Sequence, residues 1–146
     1  MNRVWVADEI GNAAALVRAL RNTLLRSLRL LKIRDADVSL LLTSDRAIAA
    51  WNGTYRKIRR PTDVLSFPQG QAHRKRGRLL LGDIAISVPT ARRQARREGV
   101  PLRDECGLLA VHGLLHLLGY DHAGPREAAR MTRLQARLFP KVSRVL

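Results

Sequence analysis

Three of the four histidines in this 146-residue chain, His112, His116 and His122, fall within eleven positions. His112 and His116 are four residues apart, so on a helix their imidazoles leave the same face one turn apart. Gly119 follows three residues later and predicts a left-handed turn that ends the helix. The chain can then fold back and bring His122 to the same point. Three neutral imidazoles with a fourth direction open form the ligand set of a catalytic zinc ion.

The spacing H-x-x-x-H-x-x-G-x-x-H is shared with a long motif of zinc proteases, but one position departs from it. Gly113 stands where those enzymes carry a general-base glutamate, so peptide hydrolysis lacks its usual proton acceptor. Glu105, two turns before His112, is predicted to support a ligand or the fold. Asp121 either orients a histidine or a water molecule, or it caps the turn. Cys106 falls roughly on the opposite helix face from His112 and is a poor fourth ligand.

The chain is strongly basic. It has 27 Lys and Arg against 12 Asp and Glu, a formal charge of +15, and all but four of the basic residues are arginine. Guanidinium groups bind phosphate bidentately, so this balance favours a polyanionic partner such as nucleic acid. Genomic base composition can explain arginine in place of lysine, but it does not explain the net excess of positive charge.

The remaining composition favours one soluble cytoplasmic domain spanning residues 1–146. The length is enough for a hydrophobic core, and 46% of the residues are hydrophobic. Cys106 is the only cysteine, which excludes an internal disulfide. The start of the chain lacks the pattern of a signal peptide, and the longest uncharged run is too short to span a bilayer.

Hydrophobic periodicity predicts a mixed β-sheet covered by helices, in the order β-α-β-α-β-β-α-α-α. Strands are predicted at residues 4–7, 37–43, 62–67 and 79–87. Helices are predicted at residues 10–31, 45–52, 89–98, 101–118 and from 125 onward. Gly53 and Thr54 are expected to interrupt the second helix, and Gly82 predicts a bulge or a close approach in the last strand. A polar loop at residues 69–78 contains His73, expected to be exposed.

Three of the predicted helices carry basic faces. These are formed by Arg18, Arg21, Arg29 and Lys32, by Arg92, Arg93, Arg96 and Arg97, and by Arg126, Arg130, Arg133 and Arg137. The opposite face of the last helix is predicted to contain Glu127, Met131, Leu134 and Leu138. A charged helix face is usually a solvated face, and only its single sign indicates phosphate contacts.

Several segments together resemble one known family. Residues 112–122, H-G-L-L-H-L-L-G-Y-D-H, resemble the signature H-G-x-L-H-L-x-G-Y-D-H of the YbeY family of bacterial rRNA maturation factors and endoribonucleases. Trp51 and Asn52 followed by Tyr55 and Arg56 resemble its L-N-x-x-Y-R. Residues 61–68 match its T-D-V-L-S-F-P strand, and residues 81–87 its L-G-D-I-x-I-S strand. The resemblance runs in register over about residues 35–140.

The resemblance implies an α+β fold, with a small mixed sheet of about four strands, five to six helices and a metal site at the end of a central helix. It implies a zinc-dependent, single-strand-specific endoribonuclease that matures the 3′ end of 16S rRNA and serves ribosome quality control. Its partners would be rRNA, the small ribosomal subunit and ribosomal proteins. By motif position, one Zn²⁺ would be held by His112, His116 and His122, and the catalytic residues would be His112 and Arg56.

Arg56 in that role would hold the phosphate bidentately while negative charge builds in the transition state. Two other functions stay open: a zinc hydrolase of another substrate, and a ribosome-assembly RNA-binding factor with little nuclease activity and a structural zinc. Three histidines with no fourth protein ligand argue against a closed structural site. Whether water or the RNA 2′-hydroxyl attacks is not decided by the sequence.

Overall fold

The computed structural model describes residues 1–11, 14–56, 63–68, 74–121, 123–142 and 144, without the side chains of Tyr55 and Arg56. Five strands and five helices lie in these ranges. Their order is β1 (Arg3–Asp8), α1 (Ala14–Leu30), β2 (Ala36–Thr43), α2 (Asp45–Arg56), β3 (Val64–Pro68), β4 (Arg74–Lys75), β5 (Arg78–Ser87), α3 (Val88–Glu98), α4 (Leu102–Leu117) and α5 (Pro125–Leu138). The predicted α+β fold is confirmed. No helix among the described residues has the length and apolar character needed to cross a bilayer.

The strands form one mixed sheet in the order β1-β2-β5-β3, with β4 paired to the start of β5. The pairs β1–β2 and β2–β5 are parallel, and β3 runs antiparallel to β5. β2 is therefore central and β1 an edge strand, as predicted. Gly82 has a φ of 132°, and a Cβ there would lie 2.3 Å from the carbonyl oxygen of Phe67. The predicted close approach at Gly82 is confirmed, beside a bulge where the β2–β5 register shifts.

Helices cover both faces of the sheet because successive strand side chains point to opposite sides. Ile84 and Ile86 of β5 join a core with α1, α3 and α4. Leu65 and Ala85 face the other way and pack on Ile48 of α2. A further apolar cluster joins the far side of α4 to α5 and the residues that follow it. Helix α4 is thus packed on both sides.

Helix α2 is longer than predicted. It begins after Ser44, whose hydroxyl accepts the Ala47 N–H at 3.2 Å, and continues through Gly53 and Thr54 to Arg56. The predicted end near Asn52 is wrong. Thr54 points its hydroxyl back to the carbonyl oxygen of Ala50, at 3.0 Å, and so stays compatible with the helix.

The prediction of a polar loop at residues 69–78 is wrong for the end of this segment. Its last residues form a tight β4–β5 hairpin, in which both turn residues, Arg76 and Gly77, have positive φ values of 52° and 78°. Two left-handed residues are the backbone requirement of a type I′ turn, which matches the twist of the flanking strands. Residues 69–73, with His73, lie outside the described residues.

Asp37 joins the three strands β1, β2 and β5. It accepts hydrogen bonds from Arg3 at 2.8 and 2.9 Å and from Arg78 at 3.0 Å. These bonds lower the pKa of Asp37 from 3.8 to about 2, and the bond from Arg3 has the largest effect. A carboxylate with a lowered pKa stabilises the fold above its unfolded-state pKa, and this contribution disappears as the pH falls through the folded-state value.

We therefore expect Asp37→Asn to lower the free energy of unfolding at pH 7 by about 1–2 kcal/mol, an amount reduced by the exposure of Arg3. The difference from the wild type should shrink between about pH 4 and pH 2. Urea titrations at several pH values measure it, with Asp83→Asn, an exposed aspartate on β5, as the matched control. An unchanged difference at pH 2.5 and pH 7 would contradict the role of the Asp37 charge.

Candidate metal centre

Helix α4 is buried along most of its length. It follows Pro101, carries Asp104 and Glu105 in its first turn, and every residue from 105 to 115 is buried. A helix that is apolar on all sides belongs in the interior of a fold, and α4 lies between the sheet and α5. Its two histidines therefore stand in a largely dry environment, where a polar ring nitrogen requires a partner.

His112 and His116 converge as the spacing predicted. Their Nε2 atoms are 3.1 Å apart, and their ring centroids are separated by 4.6 Å. His112 is 8% exposed and His116 is half-buried, so the pair opens toward solvent on one side. The structure thus brings together two of the three predicted ligands.

The turn after α4 also forms as predicted. Gly119 has a φ of 95°, and the Tyr120 N–H donates to the carbonyl oxygen of Leu115 at 3.0 Å, the long bond of a glycine-terminated helix. Asp121 accepts the N–H of Ala123 at 3.0 Å, so its carboxylate caps the turn. His122 lies outside the described residues, and its place as the third ligand stays a prediction.

The outer nitrogen of His112 is held by Gln135 of α5. The Nδ1 atom lies 3.0 Å from Gln135 Oε1, while Gln135 Nε2 donates to the carbonyl oxygen of Arg144 at 3.1 Å. An amide oxygen only accepts, so Nδ1 carries the proton and the lone pair of Nε2 faces His116.

Zinc fits this donor set. With zinc–nitrogen bonds of 2.0–2.1 Å, two ligands of a tetrahedral site lie about 3.3 Å apart, close to the 3.1 Å between the Nε2 atoms. Neutral imidazoles are ligands that zinc prefers, and a ligating histidine usually donates its other N–H to an oxygen atom. His112 already makes that donation.

Gln135 was missed from the sequence. It is 3% exposed and lies on the buried face of α5 with Met131 and Leu138. Glu127, predicted for this face, is exposed. The available signal was the spacing: a polar residue four after Met131 and three before Leu138 falls inside the apolar stripe, and burying an amide requires partners at both of its ends.

Two other polar residues of α4, Glu105 and Cys106, are poor candidates for metal ligands. Glu105 is fully buried and accepts two hydrogen bonds from the guanidinium of Arg144, one of them at 2.8 Å. This pairing raises the pKa of Arg144. Burial raises the pKa of the Cys106 thiol to about 12, so it stays protonated at neutral pH. A protonated thiol is a poor metal ligand.

Gly113 is required by packing. A Cβ at this position would lie 2.8 Å from Ile84 Cγ2 and 3.3 Å from Ser66 Oγ. Ser66 also donates its hydroxyl to the carbonyl oxygen of Gly113 at 3.1 Å. The position at which a zinc protease carries its glutamate therefore faces the sheet here, and it leaves no room for a side chain.

Arg56 is the last residue of α2, and its side chain lies outside the described part of the chain. Within α2, Asn52 is 3% exposed and Trp51 meets the Phe67 ring edge-on, with 6.4 Å between ring centroids. These contacts fix the helix against β3. The placement of the Arg56 guanidinium near the histidines stays a prediction.

The basic faces of α3 and α5 are exposed to solvent, as predicted. All eight arginines named for these faces are exposed. Arg93 is engaged with Asp45 at 2.9 Å, and Arg130 lies over the ring of Tyr120, 5.3 Å from its centroid. Helix α5 therefore contacts His112 through Gln135 on its buried face and presents its arginines to solvent on another face.

Comparison with known proteins agrees with the residue motifs. A family model described as Endoribonuclease YbeY matches residues 7–143. The chain is 38% identical over 143 residues to endoribonuclease YbeY of Persephonella marina, covering 97% of this chain and 94% of that protein. It is 43% identical over 121 residues to endoribonuclease YbeY of Aquifex aeolicus, covering 82% and 79%.

The fold is also similar to the solution structure of TM1509 from Thermotoga maritima. The TM-score is 0.62 over 95% of this chain and 91% of that one. At 24% sequence identity, this likeness speaks for the fold alone. The family match covers nearly the whole chain, and the two relatives are matched over 94% and 79% of their own length. The chain belongs to the endoribonuclease YbeY family.

Proposed function

We propose that this protein is a zinc-dependent endoribonuclease that cuts single-stranded RNA. The observation that carries the proposal is the convergence of His112 Nε2 and His116 Nε2, with the proton of His112 held on the opposite ring nitrogen by Gln135. This arrangement presents the Nε2 lone pair of His112 to a metal, and the family supplies the reaction class. His122 completes the ligand set in this proposal.

The histidines, Arg56 and the arginines of α5 have different roles in the proposed reaction. When bound, zinc supplies Lewis-acid polarisation of the phosphodiester and a water activated at neutral pH. His112 and His116 hold the ion, and Arg56 binds the phosphate bidentately as charge develops. The exposed arginines of α5 bind the RNA backbone without reading its sequence.

We propose ribosomal RNA as the substrate, with cleavage at the 3′ end of 16S rRNA in the cytoplasm. The small ribosomal subunit and its proteins would be the partners, and ribosome quality control the wider role. Support comes from the resemblance in residues 112–122 and 61–68, and from the formal charge of +15, which suits a particle made largely of RNA.

One purified preparation tests the zinc and the RNA together. We expect about one zinc per chain by mass spectrometry, and cleavage of a single-stranded RNA that is spared when annealed to its complement. A strong chelator should stop cleavage, and added zinc should restore it. Binding without cleavage would favour the assembly-factor alternative, and cleavage that ignores the chelator would exclude zinc catalysis.

The basic face of α5 has a measurable consequence for RNA binding. Changing Arg126, Arg130, Arg133 and Arg137 to Gln should weaken binding. It should also flatten the dependence of log K on log salt, by about 0.7 for each RNA phosphate that the protein no longer neutralises. The measurement is a fluorescence-anisotropy titration at several salt concentrations.

The control replaces Arg18, Arg26, Arg29 and Lys32, four exposed cations on or just after α1, by Gln. It removes the same charge from another surface. Equal losses of affinity in the two variants would mean that net charge, and not the basic face of α5, determines binding.

A further inference from the structure

We propose that Gln135, Arg144 and Glu105 form a positioning chain that decides which ring nitrogen of His112 faces the metal. The inference rests on the proposed zinc function and extends it to residues outside the histidine signature. It follows from the direction of each hydrogen bond. The Arg144 carbonyl oxygen can only accept, and this fixes the donor and the acceptor in the next bonds.

The first bond of the positioning chain is made by the carbonyl oxygen of Arg144, which can only accept. The NH₂ group of Gln135 therefore donates to it, at 3.1 Å, and the amide oxygen of Gln135 faces His112. That oxygen lies 3.0 Å from Nδ1 and also only accepts, so Nδ1 must donate. With the opposite tautomer, two lone pairs would face each other in a buried site, at the cost of an unsatisfied polar contact.

Arg144 is itself anchored to α4. Its guanidinium donates twice to Glu105, a carboxylate with no exposed surface. A buried carboxylate requires such a partner. Glu105 and His112 lie on the same helix, so α4 carries both the ligand and the anchor that orients it. Arg144 and Gln135 thus connect Glu105 to His112.

Gln135 is a polar residue in an apolar environment. The cluster at this side of α4 consists of buried apolar side chains, among them Leu108, Val111 and Met131. A leucine or methionine at 135 would extend that cluster without any need for hydrogen bonds. An amide that is 3% exposed and bonded at both ends matches a positioning role better than a packing role.

Two substitutions at one position separate positioning from packing. Gln135→Met keeps the volume and removes both hydrogen bonds, whereas Gln135→Glu keeps an acceptor for Nδ1–H but places a carboxylate against the Arg144 carbonyl. We expect zinc affinity, measured by competition with a chromophoric chelator, to fall about 10- to 100-fold in the Met variant. The Glu variant should stay within a few-fold of the wild type. Thermal stability of the metal-free proteins should rank the other way, with Met above Glu.

The matched control is Gln94→Met on α3, where a partly buried glutamine donates to Asp63 at 3.1 Å. It should lower stability without changing zinc affinity. A second arm replaces the anchor by an apolar pair, Glu105→Leu with Arg144→Met, so that no buried charge is left without its partner. Zinc affinity should fall several-fold there while the fold is kept.

Nitrogen NMR of the metal-free protein reads the tautomer directly. His112 should be protonated on Nδ1 in the wild type and in Gln135→Glu, and it should populate both tautomers in Gln135→Met. Unchanged affinity and tautomer in the Met variant, with zinc bound normally by the wild type, would overturn the positioning chain alone. A wild type that binds no zinc would overturn the proposed function, and the tautomer would still test the chain.

Discussion

In a His116→Ala variant we expect the zinc content to fall to near zero and RNA cleavage to be lost. His116 supplies one of the two Nε2 atoms that converge at 3.1 Å, and two remaining ligands hold zinc poorly. Lewis-acid catalysis is worth several kcal/mol, so the rate should drop at least about 1,000-fold. Metal analysis and gel-based cleavage of single-stranded RNA on the same sample measure both effects.

The control is His73→Ala, the same substitution at the one histidine outside the signature. It should retain zinc and activity. The His116 side chain is half-buried at the end of α4, so its truncation should leave a folded protein by circular dichroism. Cleavage at the wild-type rate by zinc-free His116→Ala protein would show that the activity comes from another nuclease, and the catalytic assignment would be wrong.

Arg56→Ala should separate phosphate binding from metal binding. We expect the cleavage rate constant under saturating RNA to drop about 100- to 1,000-fold, because a donor to the developing charge is removed. Zinc content should be unchanged, since no ligand is touched. Arg56→Lys keeps the charge but loses the bidentate geometry, and it should recover only part of the rate. Single-turnover cleavage assays give the rates.

Arg46→Ala, an exposed arginine in the first turn of the same helix α2, controls for the loss of one positive charge. It should lower RNA affinity slightly and leave the rate constant unchanged. If Arg56→Ala lost zinc, Arg56 would have a structural role. If it cleaved at the wild-type rate, the phosphate-binding role would fall.

The parts of the site that depend on local spacing could be predicted from the sequence. The four-residue step from His112 to His116 and the glycine stop at Gly119 involve neighbours within two helical turns, where helix geometry decides what meets. The strand pattern succeeded for a similar reason, because β2 and β5 each contain a short apolar run, at residues 40–42 and 79–81. The family signature added the reaction class, which spacing alone left open.

What could not be predicted depends on contacts between distant parts of the chain. His112 and Gln135 are 23 positions apart, and Glu105 and Arg144 are 39 apart. No periodicity couples such pairs, and only the packing of α5 on α4 brings them together. Helix α2 passed its expected end for a related reason: the weak helix formers Gly53 and Thr54 are outweighed by the packing of the helix on the sheet.

Helix α4 contributes residues to two apolar clusters, a larger one with the sheet and a smaller one with α5. Proteins open in cooperative units smaller than the whole, and we expect α5 with its cluster to be such a unit. Amide hydrogen exchange in α5 should therefore proceed through a partial opening that leaves β2 and β5 protected. That opening would withdraw Gln135 from His112 while the ligands on α4 stay in place. Zinc exchange and the partial opening of α5 would then have the same rate.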